Sequence, residues 1–455
     1  MTSSFLSNAI PREAAQGGSS ELIRLAYPIV LTQLSMSAMQ IVDTAMVGRL
    51  GPTELGAVGF GGIWLWTALT LFVGTTQGVQ TFVAQDYGAG REGEVGAWFW
   101  QGFYAVLPLT VAAIVTFALC MPAFMDLLAP PEAIRALTTD YVQARVWGSP
   151  AGVTFVVAAA FFRGIGNTRT PLYATLIAVC VNAVLDYGLI FGRLGLPELG
   201  VAGAGYATAI ANWLGLFLIF GALMRRGVRR RFGTEWIRPD PQNMIRFLWT
   251  SAPVGAQWLL GMSSFAVFST LVAHMGTTSI AASQALIAVL SVSIMLASGL
   301  SIASSTLVGQ YIGAQNLVAA ERAHRSAIRI GFVVSLGLAA IFIGAPGFLI
   351  QLFTEDAGLL EAGASLMLVG AVLQVFDTMV NISSGSLRGA GDTRWPLVAT
   401  TSLAWLVYLP LAYFLGITLE GGLLGAWTGC AINSCLAAVT LLARFRRGAW
   451  HAITI

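Results

Sequence analysis

The chain contains no lysine; all 24 of its basic residues are arginine. We read that as a bias of composition from which no function follows. Charge of either sign is scarce, at 10% of residues, against about 25% in a soluble domain. There is no Gly-Lys-Ser/Thr phosphate loop, no G-x-S-x-G and no H-E-x-x-H. Without a nucleotide site the chain cannot by itself be an ATP-driven pump, and no constellation of an enzyme is present. Only four cysteines occur, Cys120, Cys180, Cys430 and Cys435, all in apolar segments and none in a C-x-x-C pair. They are expected as buried thiols without disulfide or metal. His274, His324 and His451 fall near predicted helix ends and are expected in solvent.

Apolar residues make up 56% of the chain. They recur in runs of about 20, the length a membrane helix needs. The ten-residue alternation of a membrane barrel is missing. The first apolar run is too long and starts too late for a cleavable signal peptide. Twelve spans are predicted, at about 22–48, 54–82, 96–122, 134–162, 170–192 and 199–224, then 246–272, 279–308, 324–350, 358–387, 395–416 and 421–443. With both termini in the cytoplasm, 20 of the 24 arginines lie inside, leaving Arg49, Arg135, Arg145 and Arg193 outside. That asymmetry sets the orientation. The basic stretch Arg225–Arg238 is expected on the inner leaflet beside anionic lipid, not on nucleic acid.

An internal repeat organises the chain. Arg163-Gly164-Ile165-Gly166-Asn167-Thr168-Arg169-Thr170-Pro171 returns as Arg388-Gly389-Ala390-Gly391-Asp392-Thr393-Arg394-Trp395-Pro396, an offset of 225 residues. The same offset pairs Val83-Ala84-Gln85 with Val308-Gly309-Gln310, Pro28 with Pro253 and Gly51 with Gly276. Six spans per half is an even number, so the halves share one orientation. The expected fold is therefore an all-α integral membrane protein. Its twelve transmembrane helices form two six-helix bundles related by a pseudo-two-fold axis along the membrane normal. The division is a tail at 1–20, one lobe at 21–224, a cytoplasmic linker loop at 225–245, a second lobe at 246–447 and a tail at 448–455. The gap between lobes would form a central cavity. The repeated Arg-Gly-x-Gly block reads as a loop clasp, with a part in gating as the alternative.

Three acids fall well inside spans: Asp43, Asp186 and Asp377. Helical geometry puts Gln33, Met36, Gln40 and Asp43 within an arc of roughly 80°. A carboxylate facing lipid costs ~2.5–3.5 kcal/mol or more, so that face should look into protein or a wet cavity. Asn182 lies one turn before Asp186, and Thr208 in the sixth span could face them. Gln374, Asp377 and Asn381 form a second stripe. Gln257 and Gln284 could line the cavity or bridge helices. The repeat supplies a control: Asp43 maps to Phe268, Asp186 to Leu411 and Asp377 to Gly152. The scaffold can be built without these acids, which argues for function.

Pro28, Val42-Asp43-Thr44 leading to Gly48, Gln85…Gly88-Ala89 and the doubled Arg-Gly-x-Gly-[Asn/Asp]-Thr-Arg-x-Pro together resemble the multidrug and toxic compound extrusion (MATE) transporters over nearly the whole chain. The resemblance implies two six-helix bundles in a V and export of organic cations against a proton or sodium gradient. It makes Asp43 a coupling residue, with Asn182, Asp186 and Thr208 added to it and Asp377 matching an acid of the tenth span. One departure stands out: Ala252–Val272 holds no acid where some sodium-coupled relatives carry a glutamate. The coupling ion is expected to be the proton, with sodium held by Asp43, Asn182 and Asp186 as the alternative, and no cofactor is implied. Partners would be small cationic substrates and membrane lipid, with no obligatory protein partner. The location would be a bacterial cytoplasmic (inner) membrane. Two other functions place different demands on the sequence. A lipid-linked saccharide flippase would need cations in its cavity for a pyrophosphate, and no arginine is expected mid-span. A membrane-embedded lipid enzyme would need acids or histidines clustered at one interface.

Overall fold

A computed structural model describes residues 17–128, 131–351, 357–453 and 455. Most of the expected 1–20 tail lies outside the described residues. Those that are described form helices and turns, with no strand among them. A backbone surrounded by lipid must bond to itself, and a helix does so within one segment. Among the described residues eleven helices are long and apolar enough to cross a membrane, and twelve spans are counted if a bent helix pair is taken as one.

The helices are α1 (Ser19–Gly48), α2 (Pro52–Gly88), α3 (Val95–Leu128), α4 (Glu132–Val146), α5 (Ser149–Gly164), α6 (Arg169–Phe191), α7 (Gly200–Leu223) and α8 (Arg226–Phe232). They continue as α9 (Pro241–Ala273), α10 (Thr277–Gly313), α11 (Leu317–Gly344), α12 (Pro346–Gln351), α13 (Ala357–Gly389), α14 (Arg394–Leu403), α15 (Leu409–Tyr413) and α16 (Gly422–Arg446). The repeat is visible in the helices themselves. α2 and α10 are each 37 residues long and begin at the 225-residue offset. Each follows a glycine in the left-handed half of backbone space, Gly51 at φ +156° and Gly276 at +106°. In the clasp loops Gly166 (+82°) and Gly391 (+86°) match in the same way; only glycine adopts such angles without a Cβ penalty.

The chain divides into two compact units. One holds Leu31–Gly255, the other Ala256–Ile455 together with the first turns of α1 through Val30. The division therefore cuts α1 and α9 rather than falling in a loop. Within the first unit, Val47, Met121, Met125, Tyr141, Val142, Ile190, Val201 and Ala204 form an apolar cluster. Within the second, Leu22, Leu25 and Ile29 pack with Leu307, Val308, Ala323 and Phe445. A further cluster there centres on Phe268, Tyr408 and Trp427.

Several expectations are corrected. The fourth span is not one helix: α4 and α5 meet at a 46° bend. Gly148 and Pro150 explain it. A Cβ at Gly148 would lie 2.4 Å from Ala209 Cα, and Pro150 starts α5. The linker is not a plain loop. It folds into α8, then runs back over α3, where Tyr104 donates to the Ile237 carbonyl (2.9 Å) and Gln101 to that of Arg238 (3.1 Å). Arg231 reaches Glu92 at 2.8 Å, and that hydrogen bond raises the pKa of an already basic guanidinium. His324 is buried, not in solvent; its Nδ1 lies 2.8 Å from Ser386 Oγ and its ring stacks on Phe445. Cys120 and Cys180 are exposed and Cys430 and Cys435 half-buried, so the thiols are not core residues. In the final residues Trp450 is buried against Phe445.

Candidate functional site: the Asp43–Asp186 pair

α6 and α7 pack closely because Gly203 replaces a side chain: a Cβ there would sit 2.5 Å from the Leu189 carbonyl oxygen. That contact sets the register of Asn182 and Asp186 on α6 beside Thr208 on α7. α4 is locked to α7 by Gly205, whose added Cβ would lie 2.7 Å from Ala144 Cβ and 3.1 Å from the Arg145 nitrogen. Asp43 comes from the second half of α1, near Val47 of the same unit's core.

Four expected site residues thus come together. Asp186, Asn182 and Thr208 are wholly or almost wholly buried (0%, 1% and 2% exposed), and Asp43 is half-buried. The Asp43 carboxyl, that of Asp186 and the Thr208 hydroxyl lie near enough for the two acids to influence each other electrostatically. Thr208 Oγ1 donates to the Ala204 carbonyl at 3.0 Å. Asp43 Oδ1, both Asp186 oxygens and both polar atoms of the Asn182 amide are enclosed without a protein hydrogen-bond partner. Two carboxylates have no hydrogen to share. Their oxygens are satisfied together only by a proton or another cation between them, because an enclosed anion without a partner is strongly disfavoured.

A fifth residue joins this group that the sequence reading had placed outside. Arg145 lies at the end of α4, beside the bend of the fourth span, and its guanidinium acts electrostatically on both Asp43 and Asp186. Its Nη1 donates to the Tyr141 hydroxyl, and the guanidinium lies 5.5 Å from that ring's centre. The expectation that no arginine occupies mid-span is therefore wrong. An arginine eleven residues into a predicted span was the available signal; counting it as a loop charge hid it.

The remaining stripe on α1 is open: Met36 and Gln40 are exposed and Gln33 half-buried. In the second unit Asp377 and Gln257 line a cavity of about 160 Å³ with Thr400, Thr401 and Asn433. Asn381 Nδ2 donates to Asp377 Oδ2 at 3.0 Å, and Gln257 Nε2 to Thr400 Oγ1 at 3.0 Å. Gln374 is not part of that cavity lining; its amide donates to the Ser335 carbonyl on α11 at 2.5 Å. Gln284 is exposed. Thr400 and Asn433 were missed because single polar residues on apolar helices carry no periodic signal. At the repeat position of Asp43, Phe268 packs between Tyr408 and Trp427, with ring centres at 5.2 and 5.1 Å.

In the clasp loops two residues tie helices together. Asn167 caps α6, accepting from Thr170 N at 3.2 Å, and Asp392 meets Arg444 at 2.8 Å.

Comparison with known proteins follows the same pattern. The MatE family model matches residues 28–188 and 253–414, two segments whose starts stand at the repeat offset. The chain is 33% identical over 429 residues to Multidrug resistance protein NorM of Burkholderia vietnamiensis, covering 93% of this chain and 92% of that one. It is 30% identical over 439 residues to Probable multidrug resistance protein NorM of Idiomarina loihiensis, covering 95% of each. In fold it is similar to a MOP superfamily transporter from Pyrococcus furiosus, with a TM-score of 0.86 at 21% identity over 96% of this chain and 97% of that one. A eukaryotic MATE transporter gives 0.83 at 20% identity, over 95% and 96%.

Proposed function

Because the chain belongs to the MatE family, we propose that it is a secondary antiporter that exports organic cations, drugs among them, in exchange for protons. The observation that carries this reading is the pair Asp43 and Asp186, in which Asp43 Oδ1 and both Asp186 oxygens are enclosed without a hydrogen-bond partner in the protein. When ionised, the pair attracts a cation. A proton taken up by the pair weakens that attraction and favours release. Only such a difference in affinity between states can drive exchange, and the two groups titrate as a unit. The site opens to one side of the membrane at a time, with both termini in the cytoplasm of a bacterial cell and the inner membrane as its location.

Sodium is the second reading. It is favoured by one feature: the Asn182 side-chain oxygen, enclosed and unpaired beside the two carboxyls, completes a set of hard oxygen donors. A flippase for lipid-linked saccharides fits less well, since one guanidinium facing two carboxylates leaves a net negative site that repels pyrophosphate. The deciding experiment loads vesicles containing the protein with a fluorescent cation and imposes first a pH gradient, then a sodium gradient. Efflux driven by the pH gradient alone is expected. Efflux driven by sodium alone would transfer the role to that ion, and efflux under neither would end the antiport reading.

A further inference from the structure

The second unit carries polar groups that the coupling pair does not use. On α13, Asp377, Asn381, Ser384 and Arg388 fall within an arc of roughly 60° and run about 16 Å along the axis, from the cavity to the clasp loop. Asn381 Nδ2 donates to Asp377 Oδ2 at 3.0 Å, and Arg388 Nη2 donates to Ser301 Oγ on α10 at 3.1 Å. Ser301 in turn donates to the Asn381 carbonyl at 2.6 Å. Ser384 is different. Its side chain is 4% exposed, and its Oγ finds no hydrogen-bond partner in the protein. One turn before it Val380 lines the cavity with Asp377, so Ser384 continues that line toward the clasp. The cavity walls hold two more enclosed oxygens without a protein partner, Gln257 Oε1 and Asn433 Oδ1. Its volume of about 160 Å³ holds several waters.

Buried hydroxyls between helices ordinarily bond one helix to the next, as Ser304 and Ser386 do across α10 and α13 at 2.7 Å. Ser384 does not do this, and a buried hydroxyl without a partner is destabilising. The internal repeat gives an independent argument. At the 225-residue offset Asp377, Asn381, Ser384 and Arg388 become Gly152, Val156, Ala159 and Arg163. Ala159 is as buried as Ser384, at 3%, so this position packs without a hydroxyl. Only the arginine at the clasp is common to both halves. The clasp loop that follows Arg388 reaches the surface: Asp392 meets Arg444 at 2.8 Å, and the Arg444 side chain is 27% exposed.

We propose that this stripe is a proton path, in which water and the Ser384 hydroxyl connect the Asp377 cavity with the clasp end of the second bundle, the cytoplasmic end in the orientation given above. A serine hydroxyl both donates and accepts. Ser384 takes a proton from a hydronium on the cavity side as it gives its own to a water on the clasp side, and rotation of the hydroxyl resets it. No charge stays on the serine. A proton held at Asp377 is released toward the cytoplasm by this route. The inference rests on the proton-antiport reading and adds to it a second acid and an exit.

Proteoliposomes of the full chain with pyranine trapped inside test it. An imposed ethidium gradient drives proton counterflow, and pyranine reads its rate. Ser384→Ala is expected to slow proton flux at saturating ethidium about tenfold, with the half-saturating ethidium concentration unchanged. Heavy water should slow this variant more than it slows the unaltered protein, because proton passage has become limiting. Ser384→Thr keeps the hydroxyl and should stay within about threefold. The melting temperature of Ser384→Ala should not fall, since no bond within the protein is lost. Ser383→Ala is the control. Its Oγ is also buried without a protein partner, but it lies about 120° around α13 from Asp377, and its loss should leave flux unchanged. Unchanged flux in Ser384→Ala, an equal loss in Ser383→Ala, or slowing without the added effect of heavy water overturns the proposal. Ethidium movement without proton flux in the unaltered protein ends the antiport reading and the path with it, whereas failure of the path alone appears only in the variants.

Discussion

Asp392 is almost wholly buried, and its carboxylate is held by the Arg444 side chain, which also lies over the Trp395 ring at 4.9 Å. Removing one partner of such a pair costs about 3 kcal/mol when the charge left behind cannot reach water. The two partners differ in that respect, because the Arg444 side chain is 27% exposed and that of Asp392 5%. Arg444→Gln should therefore lower the melting temperature of the solubilised protein more than Asp392→Asn does. Equal losses would mean that the carboxylate finds another partner. Asp43→Asn belongs to the same scale but to function. It should abolish gradient-driven efflux while leaving the amount and monodispersity of purified protein unchanged, because the side chain is only half-buried and asparagine keeps its shape. The acids themselves were legible in the sequence, since a charge inside an apolar span stands out. Their pairing rested on a proposed facing of separate helices, and Arg145 was misassigned because a predicted span has no internal landmarks for depth.

At the scale of elements, glycines decide which helices touch. A Cβ at Gly389 would fall 2.3 Å from the Ser305 carbonyl oxygen, on the seam of α13 with α10; one at Gly337 on α11 would meet nothing within 4 Å. Gly389→Val is expected to eliminate folded protein on size exclusion, whereas Gly337→Ala should be neutral or slightly stabilising through helix propensity. α6 and its repeat counterpart also part company. α6 is a regular helix of 23 residues, while the matching stretch is interrupted by π-helical turns at Ala404–Tyr408 and Phe414–Thr418. Such turns frequently mark functional positions, and Ala404 lines the cavity that holds Asp377. Span lengths follow from hydrophobicity, but a π turn depends on which carbonyl finds which amide, and no pattern of residue types announces it.

For the molecule as a whole, the orientation argued from arginine placement makes a direct prediction. Leu194 and Trp236 are both highly exposed, at 66% and 74%, and lie on loops that the arginine count assigns to opposite sides. In a background with the four native cysteines replaced, Trp236→Cys should react with an impermeant maleimide only from the cytoplasmic face. Leu194→Cys should react only from the other. Reversal of both would invert the topology; labelling of both from one side would break the span count between them.

The run lengths of apolar residues determined a many-helix membrane fold, because lipid leaves the backbone no other way to bond. The 225-residue echo determined that the chain is two versions of one plan, and the intramembrane acids marked the departures from it. Tertiary structure alone decided that the compact units divide within α1 and α9, that the fourth span bends at Gly148, and that Gly205 brings α4 against α7. Each of these depends on contact distances of a few tenths of an ångström between residues far apart in the chain. Composition and periodicity average over such distances, whereas close packing and electrostatics turn on them.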